Sequence, residues 1–210
     1  MADVLVIGAG GHARCVVDTL MAAGHRVVGA VDRDTAVADV LGVPVIGADA
    51  DLAHLKCTVT ASAALGIGSV GDTAARRNVA ALAIDAGFDF EPIVHPAATV
   101  SPFASVGRGA YIAAGALVGP GARLGEFCII NSGAVVDHDC QIGSFAHIAP
   151  GAVLSGDVRV GDGAHVGAGA SVVQGLTIGE RSLVGAGSVV TEDVPEDVVA
   201  FGNPCRVKRS

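Results

Sequence analysis

The stretch Val118-Gly-Pro-Gly-Ala-Arg-Leu124-Gly-Glu-Phe-Cys-Ile-Ile130-Asn-Ser-Gly-Ala-Val-Val136-Asp-His-Asp-Cys-Gln-Ile142 places a branched aliphatic residue at every sixth position. Stepping outward by six in both directions extends the series without a gap: Val94, Val100, Val106, Ile112, Val118, Leu124, Ile130, Val136, Ile142, Ile148, Leu154, Val160, Val166, Val172, Ile178, Val184 and Val190. The position four residues further on is small in nearly every unit, as at Ala110, Ala122, Cys128, Ala134, Cys140, Ala152 and Ala164. The position directly after the aliphatic residue is Gly in eight units.

A helix repeats near 3.6 and a half-buried strand at 2, so neither alone gives a strict six. Short strands that turn a corner every six residues do, with three corners to a coil of eighteen. The aliphatic residues then stack inside a triangular prism, and the small ones sit in tight places near its corners. Seventeen units make about 5.7 coils, a column about 27 Å tall at the usual strand spacing. The pattern resembles the hexapeptide-repeat left-handed parallel β-helix, and that resemblance, not the period, implies the left hand and a trimeric assembly. Cys128 and Cys140 both fall on the small-residue position and read as core packing.

Composition agrees with such a column. Of 210 residues 30 are Gly, about twice ordinary usage, yet 51% are hydrophobic, which excludes collagen-like and disordered chains. With no Trp, one Tyr and six Phe, the core must pack thin aliphatic layers. A net charge of −8 argues against a non-specific nucleic-acid binder, which needs a concentrated basic surface. The basic cluster is the tail Arg206-Val-Lys-Arg209, which suits a small phosphorylated ligand equally well. Met1-Ala-Asp3 has no basic n-region and the first apolar run is only Val4 to Ile7, so neither a signal peptide nor a membrane span is expected. Five Cys without a CxxC pair suit a reduced, cytoplasmic compartment without structural zinc.

Residues 1–90 have a different texture from 91–210, and the two stretches are expected to be separate domains. Val4–Ile7 reads as a buried strand, Gly8-Ala-Gly-Gly-His-Ala13 as a turn and Ala13–Ala23 as a helix. Strands follow at Val27–Val31 and Ala61–Ile67, then a helix over Thr73–Ala86, so the fold class is a small Rossmann-like βαβ domain ahead of the β-helix. Gly8, Gly10 and Ala13 satisfy GxGxx(G/A), with Asp32 nineteen residues beyond Ala13, where a ribose-binding acid stands. Such glycines bring backbone N–H groups close to a diphosphate at a helix N-terminus. Ninety residues hold one mononucleotide-binding half, which favours a nucleotide diphosphate over a redox dinucleotide; the same turn also serves plain strand-to-helix packing.

Among the seven His, register separates three. His138 lies between Asp137 and Asp139, where a carboxylate can orient it and keep it basic, as a general base near neutral pH requires; a solvated corner histidine would look the same. His147 and His165 are eighteen apart and stack on one column, as a metal pair or a groove lining would. The close ligand pair of a β-helical zinc hydratase is missing, since Gly143 stands five residues beyond His138.

The small βαβ domain with Gly8-Ala-Gly-Gly-His-Ala13, the column, the segments Ile130–Cys140 and His147-Ile-Ala-Pro-Gly-Ala152, and the ending Gly202-Asn-Pro-Cys-Arg206 together resemble the PglD/NeuD family of sugar acyltransferases over essentially the whole chain. The resemblance implies His138 as general base and Asp139, where relatives often have Glu, as the group that raises its basicity. It implies Asn131 and His147 at the border of an acetyl-CoA groove that continues past Ala168 and Ala186, and makes the Gly156 N–H a candidate for oxyanion stabilisation. In the first domain it implies Gly10, Gly11 and His12 at the nucleotide diphosphate, Asp32 and Arg33 near base or ribose, and Gly68 after the later strand; Arg76 and Arg77 stay unassigned.

The expected activity is direct acetyl transfer from acetyl-CoA to the amine of a UDP- or GDP-linked 4-amino sugar, without an acyl-enzyme, a metal or nucleic acid, at the subunit interfaces of a homotrimer. The alternatives are O-acetylation of a sugar such as sialic acid, because a general base serves amine and hydroxyl alike, and a non-catalytic trimer that binds nucleotide sugar or CoA.

Overall fold

In a computed structural model, residues 2–34 and 36–208 are described; Arg209 of the basic tail lies outside them. The chain divides into two compact units, Met1–Ser69 with Thr73–Pro96, and Val70–Asp72 with Ala97–Ser210.

In the first unit, β1 (Asp3–Ile7), α1 (Gly11–Ala22), β2 (Arg26–Val31), β3 (Asp39–Val40), β4 (Val43–Gly47), α2 (Leu52–Thr58), β5 (Ala63–Leu65) and α3 (Ala74–Asp85) follow in order. The sheet order is β3-β4-β2-β1-β5, with β1 parallel to both β2 and β5, and β3 antiparallel to β4. The apolar run of β1 is buried from Val4 to Ile7 because helices cover a parallel sheet on both faces. The chain leaves β1 toward β2 on one side and returns to β5 on the other, so the sheet switches direction at β1. Ligands of open α/β sheets bind outside such a point, at the carboxyl ends of the strands. The β3–β4 hairpin and α2 are additions that the sequence reading missed: at two, five and seven residues these elements carry too little periodicity.

The second unit is the expected prism of two-residue parallel strands paired eighteen residues apart. The inward residues Ile112, Ile130, Ile148, Val166 and Val184 are fully buried and form one aliphatic column. Its three faces differ outside. An arginine face carries Ser105, Arg123, Gln141, Arg159 and Thr177. A valine face carries Thr99, Leu117, Val135, Val153, Ser171 and Val189. A histidine face carries Tyr111, Ile129, His147, His165 and Leu183.

Coils stack closely because of the glycine that follows the aliphatic residue. A Cβ on Gly143 would lie 2.5 Å from the Asp162 backbone nitrogen one coil on, and one on Gly119 would lie 2.7 Å from that of His138. After Val190 the register tightens: Leu183 pairs with Val199, sixteen residues on, and the column ends in a short antiparallel return to Arg206–Val207.

Gly143→Ala, at a corner without candidate catalytic groups, is expected to cost about 1–3 kcal/mol through this clash and to lower the thermal midpoint by about 3–10 °C. A scanning thermal melt against wild type checks it; an unchanged midpoint would refute the stacking constraint.

Candidate active site

His138 and Asp139 occupy the corner between the valine and arginine faces. Asp137 Oδ1 accepts the His138 backbone N–H at 2.7 Å, which closes the turn locally. Asp139 then takes a left-handed backbone, φ 59°, at a corner position where the coil below has Gly121. Aspartate is among the few side chains that tolerate this conformation. The consequence is a carboxylate folded back on its neighbour, with Asp139 Oδ2 2.9 Å from His138 Nδ1. A Cβ on Gly121 would strike the same carboxylate, so glycine below is a condition of the pair.

With its Nδ1–H donated to Asp139, the neutral imidazole keeps a lone pair on Nε2. The hydrogen bond to Asp139, and secondarily the charges of Asp137, Asp139 and Asp157, raise the His138 pKa above its ordinary value despite some opposing desolvation. The ring lies against Gly156, one coil on, where a Cβ would come within 2.4 Å of Nε2. Gly156 is buried under the imidazole, and none of the described backbone hydrogen bonds uses its N–H. A proton acceptor thus lies beside a glycine whose N–H no described hydrogen bond uses, the two kinds of group that acyl transfer through a tetrahedral oxyanion requires.

Cys140, next in sequence, points inward, donates to the Ser155 carbonyl at 3.2 Å and has its thiol pKa pushed up by burial. It is core, not nucleophile.

Asn131, Ala168 and Ala186 stand at a different corner, between the histidine and valine faces. There the residues Ala114, Ser132, Pro150, Ala168 and Ala186 form an exposed strip held by coil-to-coil hydrogen bonds such as Gly187 N–H to Ala168 O at 2.8 Å. The glycines beside it, Gly133, Gly151, Gly169 and Gly187, have no atom within 4 Å of a would-be Cβ. The strip is smooth over four coil steps, about 19 Å, and the sequence reading found only its two upper rungs. His147 lies on the adjoining histidine face, buried, 3.1 Å from the Asn131 amide. Within one chain, then, His138, Asp139 and Gly156 come together, and Asn131, His147, Ala168 and Ala186 come together, but the valine face separates the two groups.

In the first unit a cavity of about 520 Å³ opens at the switch point, lined by Gly8, Gly10, Gly11, His12, Asp32, Arg33, Gly68 and further residues. Gly8 has φ 108° and packs on Ile67, so its role is steric; the spaces that a Cβ would fill at Gly10 and Gly11 are open. The twelve-residue α1 starts without a side-chain cap or an acidic first turn, which leaves its N-terminal N–H groups to an anion. Asp32 spends its carboxylate on this turn, accepting Ala9 N–H at 2.6 Å and Asp34 N–H at 2.8 Å, so it shapes the pocket as well as lining it. Buried Arg76 donates to the Ile67 carbonyl and supports the loop after β5, while Asn78 on α3 lines the cavity. Asn78 lacked any sequence signal, since one helical turn of a half-buried helix hides it.

A β-helix with a histidine–carboxylate pair seated on a glycine, in a chain with a glycine-turn α/β unit, defines an acyltransferase. Residues 3–82 match the PglD N-terminal domain family, and residues 121–156 and 157–192 each match the bacterial transferase hexapeptide family of six repeats. Perosamine N-acetyltransferase of Caulobacter crescentus, solved as a histidine-to-asparagine mutant with CoA and GDP-perosamine, shares 40% identity over 99% of this chain and 97% of its own, with a TM-score of 0.95. The acetyltransferase domain of PglB from Neisseria gonorrhoeae, solved with acetyl coenzyme A, shares 36% over 98% of each chain, TM-score 0.92. WeeI from Acinetobacter baumannii, 23% identical over 99% of this chain and all of its own, TM-score 0.85, shares the fold. No protein of curated function matches the sequence. The chain belongs to the PglD-like family of hexapeptide-repeat acetyltransferases.

Among the described residues no group of three or more His, Cys, Asp or Glu is placed to hold a metal, and no helix is long and apolar enough to cross a membrane.

Two outcomes follow from the corner geometry. Asp139→Asn removes the charge that raises His138, so the acid limb of the rate profile, which lies above 6.5 because the base must be unprotonated, is expected to move down toward 6.5 with a rate loss of about 100-fold. Gly156→Ala pushes the imidazole off its seat and is expected to cost at least about 100-fold in kcat with acetyl-CoA affinity unchanged by calorimetry.

Proposed function

We propose that this protein transfers the acetyl group of acetyl-CoA to the amine of a nucleotide-linked 4-amino sugar, with a GDP-sugar as first choice. The observation that carries the reading is the His138–Asp139 pair seated on Gly156, in a chain 40% identical over nearly its full length to an enzyme solved with CoA and GDP-perosamine.

His138 Nε2 takes a proton from the sugar amine as its nitrogen attacks the thioester carbonyl, and Asp139 stabilises the resulting imidazolium. The Gly156 N–H meets the oxyanion as the tetrahedral centre forms. Collapse breaks the carbon–sulfur bond, and the proton held on His138 passes to the departing CoA thiolate, which leaves an amide and free CoA. Gly10, Gly11 and His12 at the start of α1 bind the diphosphate, with Asp32, Arg33 and Gly68 around the nucleoside.

The two residue groups on either side of the valine face complete one site if copies associate. Leu117 and Val153 on that face are 40% and 38% exposed in the single chain, surface that a neighbouring copy would cover. The working form is a homotrimer in which the His138 corner of one copy faces the Asn131–Ala186 strip of the next.

The test is CoA release with acetyl-CoA and GDP-, UDP- and dTDP-linked 4-amino sugars plus free sialic acid, for wild type and His138→Ala. Turnover on a nucleotide amino sugar, lost by about 10²–10⁴-fold in the mutant, is expected. Turnover on sialic acid alone would replace the reading with O-acetylation. The interface arrangement has its own test: His138→Ala and Ala168→Trp, each inert alone, are expected to regain about a quarter of wild-type activity when unfolded and refolded together in equal amounts, because a quarter of randomly paired interfaces have both sides intact. No recovery would place both groups in one copy's site.

A further inference from the structure

The strands of the first unit end in register. Ile7 of β1 pairs with Val31 of β2, and Val31 with Gly47 of β4. Just past these ends, Gly8 N–H donates to the Val31 carbonyl at 2.7 Å and Asp32 N–H to that of Gly47 at 3.2 Å. The residues beyond each strand therefore follow one another along a single sheet edge. Gly8, Gly10 and Gly11 come first, Asp32 and Arg33 next and Asp49 last, and all of them line the cavity of about 520 Å³. Two strand steps carry this edge about 10 Å from the glycine turn to Asp49, the reach of a nucleotide from its diphosphate across the ribose to the base.

Of the carboxylates along the edge, Asp32, Asp34 and Asp51 serve the protein's own turns. Asp32 gives Oδ2 to Ala9 N–H and Oδ1 to Asp34 N–H. Asp34 Oδ1 accepts the Ala36 N–H at 3.0 Å, and Asp51 Oδ2 accepts the Ala48 N–H at 2.9 Å. Asp49 differs. It is half-buried in the cavity wall, and no described hydrogen bond or ion pair uses its carboxylate, not even one to Arg33 in the same wall. Both oxygens can only accept, and among the described residues nothing donates to them.

We propose that Asp49 reads the base of the bound nucleoside diphosphate and makes the pocket select guanine. The inference rests on the reading that this cavity holds a nucleotide-linked sugar by its diphosphate. Guanine presents two adjacent donors, N1–H and the 2-amino group, spaced like the two oxygens of a carboxylate, so both are met at once by charge-assisted bonds. Uracil and thymine present one N3–H between two carbonyls, which turns a carbonyl oxygen against a carboxylate oxygen. Adenine and cytosine each present one amino group beside a bare ring nitrogen. A site built on such an acceptor rejects bases that lack the donors far more strongly than an apolar pocket rejects a change of shape.

Calorimetry of the full chain with GDP, IDP and UDP tests it, because IDP is GDP without the 2-amino group. Wild type is expected to bind GDP about tenfold more tightly than IDP, with UDP weakest. In Asp49→Ala the GDP Kd is expected to rise about 100-fold and the gap between GDP and IDP to close to within about twofold, since the 2-amino group has no acceptor left to meet. UDP affinity is expected to hold or improve, as the repulsion of its carbonyl is removed. Asp49→Asn keeps the shape of the side chain but exchanges one acceptor for a donor, and it closes the same gap.

Equal affinity of wild type for GDP and IDP would overturn the inference, as would a gap that survives in both variants or a parallel loss of all three ligands. Failure of the underlying reading looks different: wild type then gives no heat with any nucleoside diphosphate, which overturns both.

Discussion

Backbone contact between successive coils governs this molecule. Eighteen residues close each turn of the prism, and the next coil arrives so near that a methyl group at Gly143 would meet its amide nitrogen. In the middle coils every side chain outside the core thereby acquires two fixed neighbours, at minus and plus eighteen. The candidate chemistry uses this directly. Pro120 lies below His138 and Gly156 above it, Gly121 below Asp139, and only the bare positions leave room for the imidazole and its carboxylate. The His138 imidazole is placed less by its own turn than by what the adjacent coils lack.

Most of this was legible in the sequence because a strict period is a geometric statement. Seventeen branched aliphatic residues in register define the column, and His138 between two aspartates marks itself. What the period could not carry was the orientation of polar groups. That Asp139 rather than Asp137 holds the ring follows from a left-handed backbone at residue 139, while Asp137 caps the amide beside it. Asn131 and His147 belong to separate units of the repeat, so their hydrogen bond appears only when two coils are stacked. The lower rungs of the strip, Ala114, Ser132 and Pro150, were equally available at eighteen-residue steps, but no chemistry in those residue types drew attention to them. In the first unit the glycine turn announced itself, whereas Asn78 and the loop-bracing Arg76 depend on where α3 lies against β5.

In the proposed reaction the two units divide the work by the kind of precision each supplies. A parallel sheet with a helix pointing its amide groups at the switch point holds a diphosphate by backbone, which tolerates many sugars beyond it. The prism offers a rigid lattice of corners in which a proton acceptor, a donor and a smooth track are set by register alone. On that proposal, recognition of the carrier and chemistry on the cargo are encoded in unrelated sequence textures, one aperiodic and glycine-punctuated, the other periodic throughout.

The coil length also quantises how such a chain can change. Six residues inserted between His138 and Gly156 would turn the upper column by one face and bring an unrelated corner above the imidazole. Twelve would do the same in the other sense, and only a full eighteen would restore alignment, with a new rung in place of Gly156. Lengthening the column beyond Val172 in whole coils, by contrast, would leave that alignment untouched and extend the strip. Drift in the length of this protein is therefore expected to come in steps of one coil, at its far end.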